Sequence, residues 1–237
     1  MKYQEIKKIM LEELGVFFNN NQWKIMEFNG FGFYLEKKNE KYVNRTGFRK
    51  IIKAKGPQYT GGGLAIVLNE VEEILFPFIL KHKLWDTVQP PTEFSITLAD
   101  MSHSIFKRKM YEKIDSIIIS THSHVVEYCK VLQEYLKEYA IPWFNKYSSV
   151  AAANDLINEL SMKESFDCFA APFPTQLYRQ MIITEKCGNR ERTLQTRDNC
   201  LNRFKRRRID GSSDVAELNR YEKSFADLCG MLKIPTS

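Results

Sequence analysis

Apolar positions recur along this chain at two different periods, and the switches between them mark out its elements. Tyr3, Ile6, Ile9, Met10 and Leu14 stand three, four and one residues apart, which predicts an amphipathic helix over residues 3–14 closed by Gly15. Two aromatic and β-branched runs, Trp23–Phe28 and Phe31–Lys37, flank Asn29-Gly30, a pair suited to the tight turn of a β-hairpin. Tyr42-Val43 and Phe48–Lys55 predict a third strand with one charged face in solvent, ended by Gly56-Pro57. Gly61-Gly62-Gly63 then opens a short apolar strand, Leu64–Leu68, and Val71, Ile74, Leu75, Phe78 and Ile79 return to helical spacing.

Beyond Pro90-Pro91, Phe94, Ile96 and Leu98 alternate as in a strand, and Ile114–Ser120 reads as another after a short helical connection. A helix from His124 to Tyr139 carries Val125, Tyr128, Cys129, Leu132 and Leu136 on one side and is broken by Pro142. Ser148-Ser149 caps a helix running to Leu160, and Gln176–Lys186 forms the next. The last two helices, Arg190–Arg208 and Asp214–Leu232, are parted by Asp210-Gly211-Ser212-Ser213, with Ser213 as N-cap. The pattern specifies an α+β fold, a mainly antiparallel sheet packed by helices, with a helical C-terminal third. Residues 1–185 are expected as the α+β domain, and residues 186–237 as a basic helical extension packed on it.

Composition narrows this picture. With 43% hydrophobic and 27% charged residues, the chain lies outside the regime in which sequences stay disordered. Its longest apolar runs, around Ile74–Leu80, fall short of the roughly 18 to 20 residues that cross a bilayer, so no membrane partner is expected. The charged N-terminus lacks the apolar core of a secretory signal. Five scattered cysteines without a CxxC pair read as reduced thiols, and a cytoplasmic location is expected.

Net charge is +6, and its distribution singles out one stretch: residues 186–208 hold nine basic residues against two acidic ones. The body of the chain reads as neutral by comparison, which directs the search for an electrostatic partner to this segment. Within it, Arg203, Lys205, Arg206, Arg207 and Arg208 surround Phe204. These five cations are candidate contacts for an anion or an acidic protein partner, and Phe204 either stacks on a base or packs in the core. A solvated helix end, its cations favouring the negative end of the dipole, explains the same cluster. Nucleic-acid binding through it is expected to be weak or absent.

Other chemistry is thin. His122 and His124 would share a face of an extended segment and hold a metal together with Asp100 and His103, but only if two strand ends meet. The Gly61–Gly63 triplet precedes a strand where a phosphate loop needs a helix. No nucleophile motif is present, and paired carboxylates such as Glu12-Glu13 and Glu72-Glu73 sit on helical faces. No catalytic residue, metal ligand or cofactor site is assigned.

Pro142-Trp143-Phe144 with Lys146, following the N-terminal helix and aromatic hairpin, resembles a bacterial family of uncharacterised domains with a recurring PWF-x-K helix break. The resemblance covers residues 1 to 160. It implies an α+β fold and, through relatives similar to components of contact-toxin immunity loci, an immunity-like role, and it brings no catalytic residues. The expectation is therefore a non-enzymatic binding or protein-interaction protein. The alternatives are a nucleic-acid-associated protein using residues 186–208 and a metal-dependent hydrolase at His122 and His124.

Overall fold

In the computed structural model, residues 1–27, 30–84, 97–100, 105–169 and 172–236 are described. The fold is α+β, with a five-stranded antiparallel sheet in the order β1-β2-β3-β4-β5 and a C-terminal part built of helices. The strands are β1 (Lys24–Glu27), β2 (Gly32–Lys38), β3 (Tyr42–Lys53), β4 (Gly56–Leu68) and β5 (Leu98–Ala99). The helices are α1 (Tyr3–Asn21), α2 (Asn69–His82), α3 (Ile105–Ser116), α4 (His122–Tyr135), α5 (Ile141–Tyr147), α6 (Val150–Glu159), α7 (Met162–Asp167), α8 (Thr175–Lys186), α9 (Arg190–Asp210) and α10 (Val215–Met231). Two compact units divide the chain, residues 1–66 with 100–146 and residues 67–99 with 147–237. The boundary expected at 185/186 does not coincide with this division, because α8 and α9 lie in the same unit.

The first unit is organised by β1, β2 and β3. Phe33 pairs with Phe48 and Leu35 with Thr46 across β2 and β3, while Ile25 faces Leu35 from β1. These residues form the inner face of the sheet and are buried. Asn39 fixes the β2–β3 turn, its Oδ1 accepting from the backbone N–H groups of Lys41 and Tyr42 at 2.9 Å each. On the inner face the Phe33 ring lies 5.0 Å from Phe48, 5.2 Å from Tyr59 on β4 and 6.4 Å from Tyr128 on α4. Aromatic pairs at these separations contribute beyond the area they bury. Helix α1 packs on α4 through its own buried stripe, Ile6, Ile9, Met10, Leu14 and Phe18.

The second unit is centred on α8, in which every residue from Leu177 to Thr184 is buried. Such a helix has no solvated face, and its polar groups must be met internally. Arg179 is fully buried and grips Glu72 of α2 with two hydrogen bonds, Nε to Oε1 at 2.7 Å and Nη2 to Oε2 at 2.8 Å. Thr97 donates to Glu72 Oε1 at 2.7 Å and accepts from the Leu68 N–H at 2.9 Å, extending the network to the end of β4. Tyr178 donates to the Tyr221 carbonyl, and Thr184 meets Thr193 at 2.9 Å, tying α8 to α10 and α9.

Several boundaries differ from the sequence pattern, each for a physical reason. Helix α1 runs through Gly15, where no neighbour approaches, and ends at Gln22 in the left-handed conformation. Strand β4 runs through Gly56-Pro57 and through the glycine triplet. Ile114 and Met110 bury themselves from helix α3, so residues 114–116 are helical and only Ile118 makes a strand-like bridge, to Gln58. The α4 helix does not break at Pro142. It widens into a π-turn over Leu136–Ala140, with the Ile141 N–H on the Leu136 carbonyl, and resumes as α5. At α10 the N-cap position falls on Asp214, one residue beyond Ser213. Phe28, Asn29, Phe94, Ile96 and His103 lie outside the described residues.

Candidate functional site

The basic segment singled out by the sequence is largely engaged within the second unit. Phe204 is buried, with its ring 5.5 Å from Phe173 and 5.7 Å from Phe225, both edge to face, so it belongs to the core. Arg207 stacks on Phe173 with its guanidinium carbon 4.2 Å from the ring centre and donates to Ser213 Oγ at 2.8 Å. Arg208 is paired with Glu222 at 2.9 Å. Arg203 is half-buried and donates to Asn199, and burial, reinforced by Arg206 and Arg207, lowers its pKa. Lys205 and Arg206 remain exposed.

Upstream, the same helix uses its cations on backbone carbonyls. Arg192 Nη2 donates to Ile157 and Leu160 at the C-terminus of α6, at 2.8 and 2.9 Å, and Arg190 donates to Lys233 O at 2.7 Å. Helix ends carry unmet carbonyls and a partial negative charge, and arginine satisfies both. Much of the surplus over residues 186–208 therefore holds helices in place.

His122 and His124 open α4 rather than lying on an extended segment, and residues two apart on a helix do not face each other. His124 Nδ1 instead accepts from the Ser120 N–H at 3.3 Å. Asp100 is held by Lys107 at 3.0 Å and by the Tyr139 hydroxyl. No group of three or more His, Cys, Asp or Glu is placed to hold a metal among the described residues.

The glycine triplet presents no phosphate cradle. The Gly61 N–H donates to Asp115 Oδ1 at 3.3 Å, and the Gly62 carbonyl accepts from the hydroxyls of Tyr111 (2.8 Å) and Tyr135. Burial raises the pKa of Asp115 and pushes the Tyr111 phenol up to about 12. At Gly62, where φ is +117°, a Cβ would lie 2.9 Å from the Tyr111 ring, so the glycine is what lets the tyrosines close on the strand.

What the sequence did not single out is a cleft of about 470 Å³ on β2 and β3, lined by Phe31, Phe33, Tyr34, Gly47, Phe48 and Arg49. Gly47 lines it and Gly32 stands beside it. Gly32 has φ +152° and lies so close to β3 that a Cβ would stand 2.0 Å from the Phe48 carbonyl oxygen. Gly47 pairs with Tyr34 and faces open space, with nothing within 4 Å of the position a Cβ would take. The register puts Gly32 opposite Arg49, where it lets the two strands close up beside the cleft, and the cleft itself opens at Gly47, where a side chain would otherwise stand. Phe31, 67% exposed, borders it. Arg45, next along the outer face, lies 5.7 Å over the Tyr34 ring and is paired with Glu36 at 2.8 Å.

Charge concentrates around this cleft as well. Residues 24–55 hold nine basic residues against three acidic ones, a surplus hidden in the chain total because the residues outside both basic segments are net acidic. The body outside residues 186–208 is neutral in sum, as expected, but its charge is not spread evenly. Among the described residues, Arg45 alone of these nine cations is held in an ion pair. Arg49, Lys50, Lys53 and Lys55 at the end of β3 are left to solvent or to a partner. The five candidate cations of α9 contrast with this, since Arg203, Arg207 and Arg208 each have a partner within the chain.

No protein-family model, curated protein or solved structure matches the chain. Among the described residues, no helix is long and apolar enough to cross a membrane.

Proposed function

We propose that this chain is a non-enzymatic binding protein that takes an apolar, planar group of its partner into the β2–β3 cleft. The observation that carries the reading is the make-up of the lining: the rings of Phe31 and Tyr34, Arg49, the side-chain-free Gly47, and Phe33 and Phe48, whose rings turn to the inner face, with no carboxylate, imidazole or thiol among the described lining residues. A volume of about 470 Å³ falls within the usual range of ligand sites, and a mostly apolar cleft with one placed polar group is what such sites look like. The immunity-like role implied by the Pro142-Trp143-Phe144 resemblance is a binding role of the same kind. The alternatives draw less support, since the α9 cations are mostly engaged and His122 and His124 do not share a face.

Amide-resolved NMR during titration with indole and with phenylacetate tests this. Shifts are expected to cluster at residues 31–34 and 47–49 and to vanish in Gly47→Leu, whose side chain fills the cleft from an open position. Shifts that are absent, or that lie elsewhere and survive Gly47→Leu, refute the reading.

A further inference from the structure

We infer that the tip of the β3–β4 hairpin, residues 51–55, docks on an anionic lipid surface, with Ile51 and Ile52 entering the headgroup region and the flanking cations resting on the lipid charges. The inference is independent of the cleft, whose described lining ends at Arg49.

Successive side chains of a strand point to opposite faces, so a strand packed on a core buries every second residue. Strand β3 does this as far as Phe48, 2% exposed, and then the core ends: Ile52, on the same inner face, is 71% exposed, and Ile51, on the outer face, is 36% exposed. Lys53, Ala54 and Lys55 are exposed as well. The tip therefore stands clear of the protein on both faces. Its base is held fast. The Ile119 N–H donates to the Pro57 carbonyl at 2.8 Å, and Gly56 lies so close to Ile119 that a Cβ would stand 2.2 Å from its carbonyl oxygen. A projection anchored at its base has little ordering left to do when it binds.

Charge selects the kind of surface. Residues 41–69 contain no Asp or Glu, and Arg49, Lys50, Lys53 and Lys55 flank the two isoleucines without an ion pair among the described residues. Apolar side chains at the acyl boundary with lysines at headgroup level is the division by which peripheral segments hold to anionic bilayers. A protein partner covers one face of a strand or its edge, whereas a lipid interface surrounds an inserted tip, and both faces of this one are bare. A nucleic acid would meet the same cations but gains nothing from two aliphatic side chains, which offer no ring for a base to stack on. The contact is peripheral, since among the described residues no helix is long and apolar enough to cross a membrane.

The experiment is flotation of the full chain with vesicles of phosphatidylcholine alone and of an equal mixture with phosphatidylserine, at low and at near-physiological salt. Labelled oligo-dT and a labelled Glu-rich peptide are titrated in parallel. The variants are the pair Ile51→Ser with Ile52→Ser, the pair Lys53→Ala with Lys55→Ala, the pair Lys205→Ala with Arg206→Ala, and Ile52→Trp. All these side chains are exposed, so each variant should melt as the parent does. Binding to the mixed vesicles is expected, with little to phosphatidylcholine alone. The lysine pair should lower partitioning roughly 25-fold at low salt, about fivefold for each charge, and less at higher salt where charges are screened. The isoleucine pair should lower it about tenfold or more at both salt concentrations, because apolar burial is not screened. Ile52→Trp should bind at least as well as the parent and show blue-shifted emission on the mixed vesicles, since an indole ring suits the interface. The Lys205/Arg206 pair should bind as the parent does.

Absence of binding to the mixed vesicles at low salt overturns the inference, as does equal binding to both kinds of vesicle. Binding that ignores the isoleucine pair, with no blue shift in Ile52→Trp, would leave a charge contact without insertion and overturn it too. Loss in the Lys205/Arg206 variant alone would move the contact to α9. Tighter capture of the oligonucleotide or the acidic peptide than of the mixed vesicles, lost in the lysine pair, would overturn the lipid surface in favour of that polyanion.

Discussion

Replacing Arg179 by Met is expected to destabilise the second unit by about 3–5 kcal/mol, the loss that follows when one partner of a buried ion pair is removed. The perturbation is clean because Arg179 is fully buried and α8 is buried on all sides, so the methionine stem occupies the arginine's path. What remains is the Glu72 side chain, 6% exposed, with the Thr97 hydroxyl on one oxygen and no cation on the other. A loss of that size is a large part of the roughly 5–15 kcal/mol that separates folded from unfolded domains. Adding Glu72→Leu to Arg179→Met removes the stranded carboxylate, and the double variant should recover most of the loss, since well-packed apolar replacements of buried pairs are near neutral. Urea denaturation of the four proteins of this cycle, with the slope of the transition compared across them, measures the coupling directly. A single Arg179→Met variant within about 1 kcal/mol of the parent would refute the account of Glu72 as a carboxylate dependent on its cation.

Two further outcomes follow from the titratable groups. Burial pushes the Cys129 and Cys229 thiols up to about 12 and about 11, and that of Cys200 well above its ordinary value, so Ellman's reagent should find exposed Cys187 first and these three only in denaturant; fast reaction of all five would contradict the burial. Asp227 shares one oxygen between Lys81 at 2.6 Å and His82 at 3.1 Å, and the Lys81 hydrogen bond above all holds its pKa below the usual carboxylate value. A lowered folded pKa contributes stability above the unfolded pKa that is lost as pH falls through the folded one, so Asp227→Asn should flatten the acid limb of a melting-temperature profile, and an unchanged limb would exclude the linkage.

The elements most legible in the sequence were those whose spacing and punctuation agreed. The β1–β2–β3 meander could be read from the aromatic and β-branched runs and from Tyr42-Val43 with Phe48–Lys55, and α6 from Ser149, which accepts from the Ala152 N–H as an N-cap should. Misreadings arose where a local signal met a tertiary demand. Gly15 lies where nothing crowds the helix, so its usual stop signal had no effect. Ile114 and Ile117–Ile119 make the run from 114 β-prone, yet Ile114 is buried from helix α3, which keeps residues 114–116 helical. The cleft was illegible for a different reason: it opens at Gly47, and only the strand register, which sets Gly47 opposite Tyr34 and Arg49 opposite Gly32, shows what surrounds it. Averaging charge over the whole body had the same blind spot, since acidic residues far along the chain cancelled lysines clustered on one sheet.

The π-turn at Leu136–Ala140 works as a phase shifter. An α-helix turns by roughly 100° per residue, so a wide turn that takes in one extra residue rotates everything after it by about that angle while the axis runs on. Before the turn, Tyr128 and Tyr135 point at the sheet and meet Phe33 and Phe48 edge to face. After it, Phe144 is aimed at Trp23, 5.5 Å away, at the entrance to β1. One rod thereby serves two targets that no single helical stripe would reach, and the proline that a linear reading takes for an end marks the place where the rod changes direction of address.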